Sequence, residues 1–206
     1  MSTMPKSLYW TRTDVPGAEH ALIDDRRGLA VKGVAVAVDP IAYTCQYELS
    51  TDEAWRTGRL ELTVEGSGWR RTLRLERAAG RWRAATGEQG DLDAVLRAGG
   101  HPGAGLPGSE DPDRLESALD VDVSGNPLFN TLPIRRLGLQ KAAPGTTHEI
   151  TVAWVLLPSL EVIPAEQSYT ALVGGRVRFE SEGFTAEIDI DGDGYVTRYP
   201  GLATRP

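Results

Sequence analysis

The chain has 206 residues, 40% apolar and 25% charged, with a formal net charge of −7 and one cysteine. That length can bury one sizeable core. The acidic balance excludes generic binding to nucleic acid or to anionic lipid, which needs a basic footprint, and Cys45 alone excludes an intramolecular disulfide or a cysteine-based zinc site.

The first residues, MSTMPKSLYWTRTD, lack the apolar region of a signal peptide. The longest apolar run, 152–158, is too short to span a bilayer. The expectation is a cytoplasmic protein with no stable membrane insertion. Period-2 alternation then predicts strands over 7–12, 18–25, 29–38 and 41–49. Leu60, Leu62 and Val64 alternate with charged and polar residues, as do Trp69, Leu73 and Leu75, and a further strand is predicted over 81–86. Val34 to Val38 reads VAVAV and is apolar on both faces, so it is expected to be buried on both sides or to line an apolar cavity.

Asp91 to Arg97 has the form of a short helical turn with Asp91 as its N-cap. Arg97 to Arg114 holds five Gly and three Pro and no apolar period, which predicts a mobile surface loop. Leu119 to Val123 alternates with Asp120 and Asp122 and runs into a Gly125-Asn126-Pro127 turn. Asn130, Thr131, Pro133 and the pair Arg135–Arg136 follow. On a strand, adjacent arginines point to opposite faces. The inward one needs a carboxylate, and Asp120 and Asp122 are the candidates. An internal ion pair is one reading; the other is an arginine that holds a ligand phosphate, carboxylate or sugar hydroxyl.

Strands follow over 147–157, 167–173 and 175–182, with Ile188 and Ile190 alternating in another. Residues 150–157 are again apolar on both faces. Asp189, Asp191 and Asp193 with Gly194 resemble the start of a calcium loop, but position 12 is Pro200 rather than Glu, and a hairpin tip explains the same residues. His20, His101 and His148 have no metal-ligand spacing, so no metal site and no cofactor are expected. Trp69, Trp82 and Trp154 read as inward core residues. Trp10 and Trp55 are candidate sugar platforms. The fold these elements predict is mainly β: one domain over 1–206, a large curved antiparallel sheet forming a half-barrel or nearly closed barrel with little helix, and a Gly/Pro-rich loop inserted at about 97–114.

Several strings together carry a resemblance: Gly80-Arg81-Trp82, residues 119–123, Asn126-Pro127, residues 130–137 (NTLPIRRL), Gln167-Ser168-Tyr169-Thr170, residues 193–196 and Tyr199-Pro200-Gly201-Leu202. They are similar to the bacterial family of putative glycolipid-binding proteins. The resemblance implies a half-barrel shaped like bacterial lipoprotein and glycolipid carriers.

The resulting expectation is non-catalytic binding of a glycolipid or other amphipathic small molecule. The apolar part would lie on strands 29–38 and 150–157. The head group would meet Asp120, Asp122, Asn130, Thr131, Arg135, Arg136, Gln167 and Tyr169, with Trp10 and Trp55 as platforms. No catalytic residue is assigned. The rival readings are a hydrolase-like enzyme using the Asp120–Arg136 polar cluster, and a protein-interaction module with no small ligand.

Overall fold

The computed structural model describes residues 6–105 and 112–206. Among the described residues fourteen strands form one open, curved sheet, and strand makes up 54% of those residues. The first seven, β1 Lys6–Arg12, β2 Gly17–Asp24, β3 Ala30–Ala37, β4 Tyr43–Thr51, β5 Thr57–Gly66, β6 Trp69–Ala78 and β7 Arg81–Gly90, form an antiparallel meander. A second set follows: β8 Asp120–Val123, β9 Thr147–Val155, β10 Val162–Leu172, β11 Arg176–Ser181, β12 Phe184–Ile190, β13 Val196–Tyr199 and β14 Ala203–Thr204. β1 pairs with β14, so the two chain ends join the halves, and β7 and β8 are the free edges.

Alternation sets which face is wet. On β5 the inward residues are Leu60, Leu62 and Val64; on β6 they are Trp69, Leu73 and Leu75. Arg71 shares that inward face and is 1% exposed. Its Nε donates to Glu88 at 2.9 Å and its Nη1 to the Ser159 carbonyl at 3.0 Å. Arg71 thereby ties the β6–β7 edge to the turn between β9 and β10. The Thr57 amide and the Trp82 indole add bonds to the carbonyls of Leu119 and Ala118. The two ends of the open sheet are thus held together by side chains and single bonds rather than by a ladder. Gly33 on β3 permits another close approach, because a Cβ there would sit 2.1 Å from the Tyr47 ring.

Four features depart from the sequence reading. First, Val34, Val36 and Val38 are 41–51% exposed, and only the alternate Ala35 and Ala37 are buried. The strand is one-sided, and its outer face is apolar but wet. Second, residues 127–136 are not a strand. A 3-10 turn over Pro127–Asn130 continues into a helix, and together with α1 Leu92–Ala98 this is α2, Thr131–Arg136. Third, β8 pairs with β9 in parallel, since the chain returns through that helical crossover instead of a hairpin. Fourth, β13 and β14 had no expected counterpart. The loop expected at 97–114 lies partly outside the described residues, at 106–111. Asp91 does cap α1, accepting from the Ala94 amide.

The crossover fills the inside of the curved sheet. Leu128, Phe129 and Leu132 join the larger core cluster with β1–β7, while Ile134 and Leu139 pack on β10–β13 in a second cluster. Cys45 is fully buried in the first, and desolvation pushes its thiol up to about 12, so it is inert packing. No helix of the described residues is long and apolar enough to cross a membrane.

Candidate functional site

β8, β9 and β10 place one set of side chains on the face that looks toward β11–β13. Cross-strand partners share a face, and the registers pair Asp122 with Trp154, Trp154 with Ile163, and Gln167 with Ser181. These residues bound an open cavity of about 860 Å³, completed by Phe179, Phe184, Tyr199, Leu202, Asn126 and Asn130. The opposite faces of the same strands, carrying Val121, Val123, Ala153 and Val155, belong to the larger core cluster.

The apolar wall is aromatic. Phe179 lies 6.1 Å from both Phe184 and Tyr199, ring centre to ring centre, and 5.2 Å from Tyr169 beneath them. Phe184 is 50% exposed and stands at the mouth.

The polar end is a directional hydrogen-bond chain. Asn130 Nδ2 donates to the Tyr169 hydroxyl at 3.0 Å. That hydroxyl donates to Gln167 Oε1 at 3.1 Å, and Gln167 Nε2 donates to Asp122 Oδ2 at 2.7 Å. Every donor points the same way, and the chain ends on a carboxylate in the cavity. Desolvation, opposed by the Gln167 bond, pushes the Asp122 carboxyl up to about 6. Asn126 also lines the cavity. It is 3% exposed, and its Nδ2 has no hydrogen-bond partner.

Other expected site residues serve the fold nearby. Arg136 Nη2 holds Asp120 Oδ2 at 2.6 Å, with Asp120 fully buried. Burial raises the Asp120 pKa and the guanidinium opposes that rise. Arg135 stacks on Trp55, its guanidinium carbon 4.3 Å from the ring centre, and donates to the Asp193 carbonyl. Thr131 is buried under α2. Trp10 is fully buried and donates to the Val196 carbonyl. Trp55 sits at φ 65° in the loop before β5 rather than on a strand. Neither tryptophan, nor Thr131, Arg135, Arg136 or Asp120, lines the cavity; Asp122, Asn130 and Gln167 do, and Tyr169 backs them. The tryptophan that lines it is Trp154, which the sequence placed in the core. Strand 29–38 is not part of the wall.

Elsewhere, Ser7 Oγ and His20 Nε2 approach to 2.8 Å, but on the exposed outer face. Among the described residues no group of three or more metal-ligating side chains converges.

The chain matches the family described as "Putative glycolipid-binding" over residues 7–205. It belongs to that family. Its fold is similar to that of a crystal structure of a DUF1089 family protein from Pseudomonas aeruginosa, with a TM-score of 0.69, 25% identity, and coverage of 100% of this chain and 96% of that one. No curated protein matches the chain. Residues in the strings that carry the family resemblance meet at the cavity: Asp122, Asn126, Asn130, Gln167, Tyr199 and Leu202. Trp154, Ile163, Phe179 and Phe184 escaped the sequence reading, because alternation gives cavity walls and packed cores the same pattern.

Proposed function

We propose that the protein binds an amphipathic small molecule, such as a glycolipid or a similar lipid, in the cavity between β8–β10 and β11–β13. What carries this reading is the division of one cavity into an aromatic wall and a polar end. A volume of about 860 Å³ lies within the range of roughly 300–1,000 Å³ of small-molecule sites. The apolar chain lies against Trp154, Ile163, Phe179 and Phe184, each buried CH₂ contributing about 0.8 kcal/mol. The head group meets Asp122, Asn126, Asn130 and Gln167. The family description supports the same reading.

One observation favours a second reading. Asp122 is a carboxylic acid with a raised pKa in a cleft, the usual condition of a general acid. No histidine lines the cavity beside it, and the serines that do are engaged with the backbone, Ser124 accepting from the Leu157 amide and Ser181 donating to the Glu166 carbonyl, so binding is the stronger reading.

The test is titration with the neutral fluorescent probe N-phenyl-1-naphthylamine. Its emission should rise with saturable binding, and Phe184→Ala and Trp154→Ala should weaken that binding. A probe that stays dark, or binds equally well to both variants, contradicts the reading.

A further inference from the structure

We propose that the outer face of β1–β4 is a self-association surface, on which a second copy of this chain docks about a two-fold axis crossing β3 at Val34. This face takes no part in the cavity, so the inference stands or falls apart from the reading of that site.

Side chains on the wet face of an antiparallel sheet are normally polar. On β4, β5 and β6 they are, with Glu48, Glu61 and Arg74 pointing outward. On β1–β3 the pattern changes. Tyr9, Leu22, Val34, Val36 and, just past β3, Val38 are 41–51% exposed. The register gathers them: Tyr9 lies across from His20, His20 from Val34, and Leu22 from Lys32. The other exposed large apolar residues of the described chain lie elsewhere, Val173 in the β10–β11 turn and Phe184 at the cavity mouth. A contiguous exposed apolar patch with a polar rim marks a contact surface.

Shape and charge both fit a second copy. Two shallow hollows, of about 370 and 420 Å³, adjoin on this face and share Leu22, Lys32 and Glu48. Val36 and Val38, further along the chain, line neither hollow and stand beside them as a ridge. Turning a second copy about an axis through Val34, across the strands, lays Val36 over the row of Leu22, Lys32 and Glu48 and Val38 over Ala30. Each copy's ridge then enters the other's hollow, as an isologous contact requires, and strands stack on strands as in packed sheets. The chain carries a net charge of −7, yet the charges around the hollows cancel. Lys32 pairs with Glu48 at 2.9 Å, Arg26 with Asp24, and Arg59 with Glu61. Two acidic copies therefore meet here without like charges facing each other. A nucleic acid, an anionic bilayer or a basic protein finds no excess of opposite charge to bind.

The experiment is sedimentation velocity from low to high micromolar concentration. The wild-type protein should show a reversible monomer–dimer equilibrium with a micromolar dissociation constant, the weak end for a contact of modest size. Val34→Lys sets two ammonium groups against each other at the axis, so it should stay monomeric throughout with the wild-type melting temperature. Val173→Lys, at an exposed apolar residue off this face, should dimerise like the wild type. A residue on the axis faces its own copy, so Val34→Cys should form a disulfide-linked dimer on oxidation and Val173→Cys should not; the native Cys45 is buried. A wild-type protein that is monomeric at every concentration overturns the inference. So does a Val34→Lys variant that still dimerises, or cross-linking through Val173→Cys but not Val34→Cys. Flotation with neutral phosphatidylcholine vesicles gives the remaining outcome: wild-type protein that floats, with Val34→Lys left behind, would assign the face to a lipid surface and overturn the second copy.

Discussion

Arg136, in the last turn of α2, grips the buried Asp120 of β8 with Nε and Nη2, the shortest contact being 2.6 Å. This pair docks the helical crossover onto the edge strand that carries Asp122, so it holds the cavity's polar end in place without touching the cavity.

Removing one partner leaves a charge buried alone. Arg136→Leu should destabilise the fold by about 3–5 kcal/mol, and Asp120→Leu combined with Arg136→Leu should cost less than either change alone. Urea denaturation of the four proteins forms a double-mutant cycle, and zero coupling would contradict the pairing.

Stability should fall as pH rises from about 4 to about 7. Glu19 is 1% exposed, and burial pushes its pKa from 4.5 to about 7, despite bonds from the Tyr47 hydroxyl and the Leu128 amide. A raised carboxyl pKa means the folded state keeps a proton that the unfolded chain releases. The Glu19 contribution is therefore fully present below the unfolded value, is lost between the two values, and levels off above the folded one. The Glu19 shift corresponds to about 3 kcal/mol, and Asp122 acts in the same direction between 3.8 and about 6. Glu19→Gln should flatten the pH 4.5–7 slope measured by urea denaturation. A variant with the wild-type slope would assign the pH dependence elsewhere.

Much of this fold was legible because most strands keep one wet face, so β1–β7 and most of β9–β12 follow from alternation. That one of Asp120 and Asp122 pairs with one of Arg135 and Arg136 was legible too, since few carboxylates could meet an inward arginine, but alternation did not say which of the four pairs forms. The route was not. Residues 131–136 are too short for a helical period to declare itself, and α2 exists through burial of Leu132 and Ile134 rather than propensity. Strand direction leaves no mark on alternation, which hid the parallel β8–β9 pair. The same blindness placed Trp154 in the core, because nothing in a period-2 pattern says whether the space in front of a side chain is filled.

The two faces of β9 and β10 should therefore respond differently to enlargement. Ala153 is fully buried in the packed core, and Ala153→Trp should cost about 1–3 kcal/mol by overpacking. Ala165 lines the cavity, so Ala165→Trp should leave thermal stability nearly unchanged and block ligand entry. Equal destabilisation by both would mean that the cavity is not open space.

Calcium should not raise the melting temperature. Asp191 Oδ1 already accepts the Asp193 and Tyr195 amides, and Oδ2 accepts Arg205 at 2.7 Å. Asp193 is engaged by Lys6 at 2.9 Å. A chelator-reversible rise in melting temperature with millimolar calcium would contradict this assignment of the tip.

Native mass spectrometry of the protein purified from its own host, beside the Ala165→Trp variant, tests the cavity most directly. The account predicts a retained small molecule on the wild-type protein, releasable by collisional activation and absent from the folded variant. A wild-type protein carrying no added mass, or a variant carrying the same one, would contradict it.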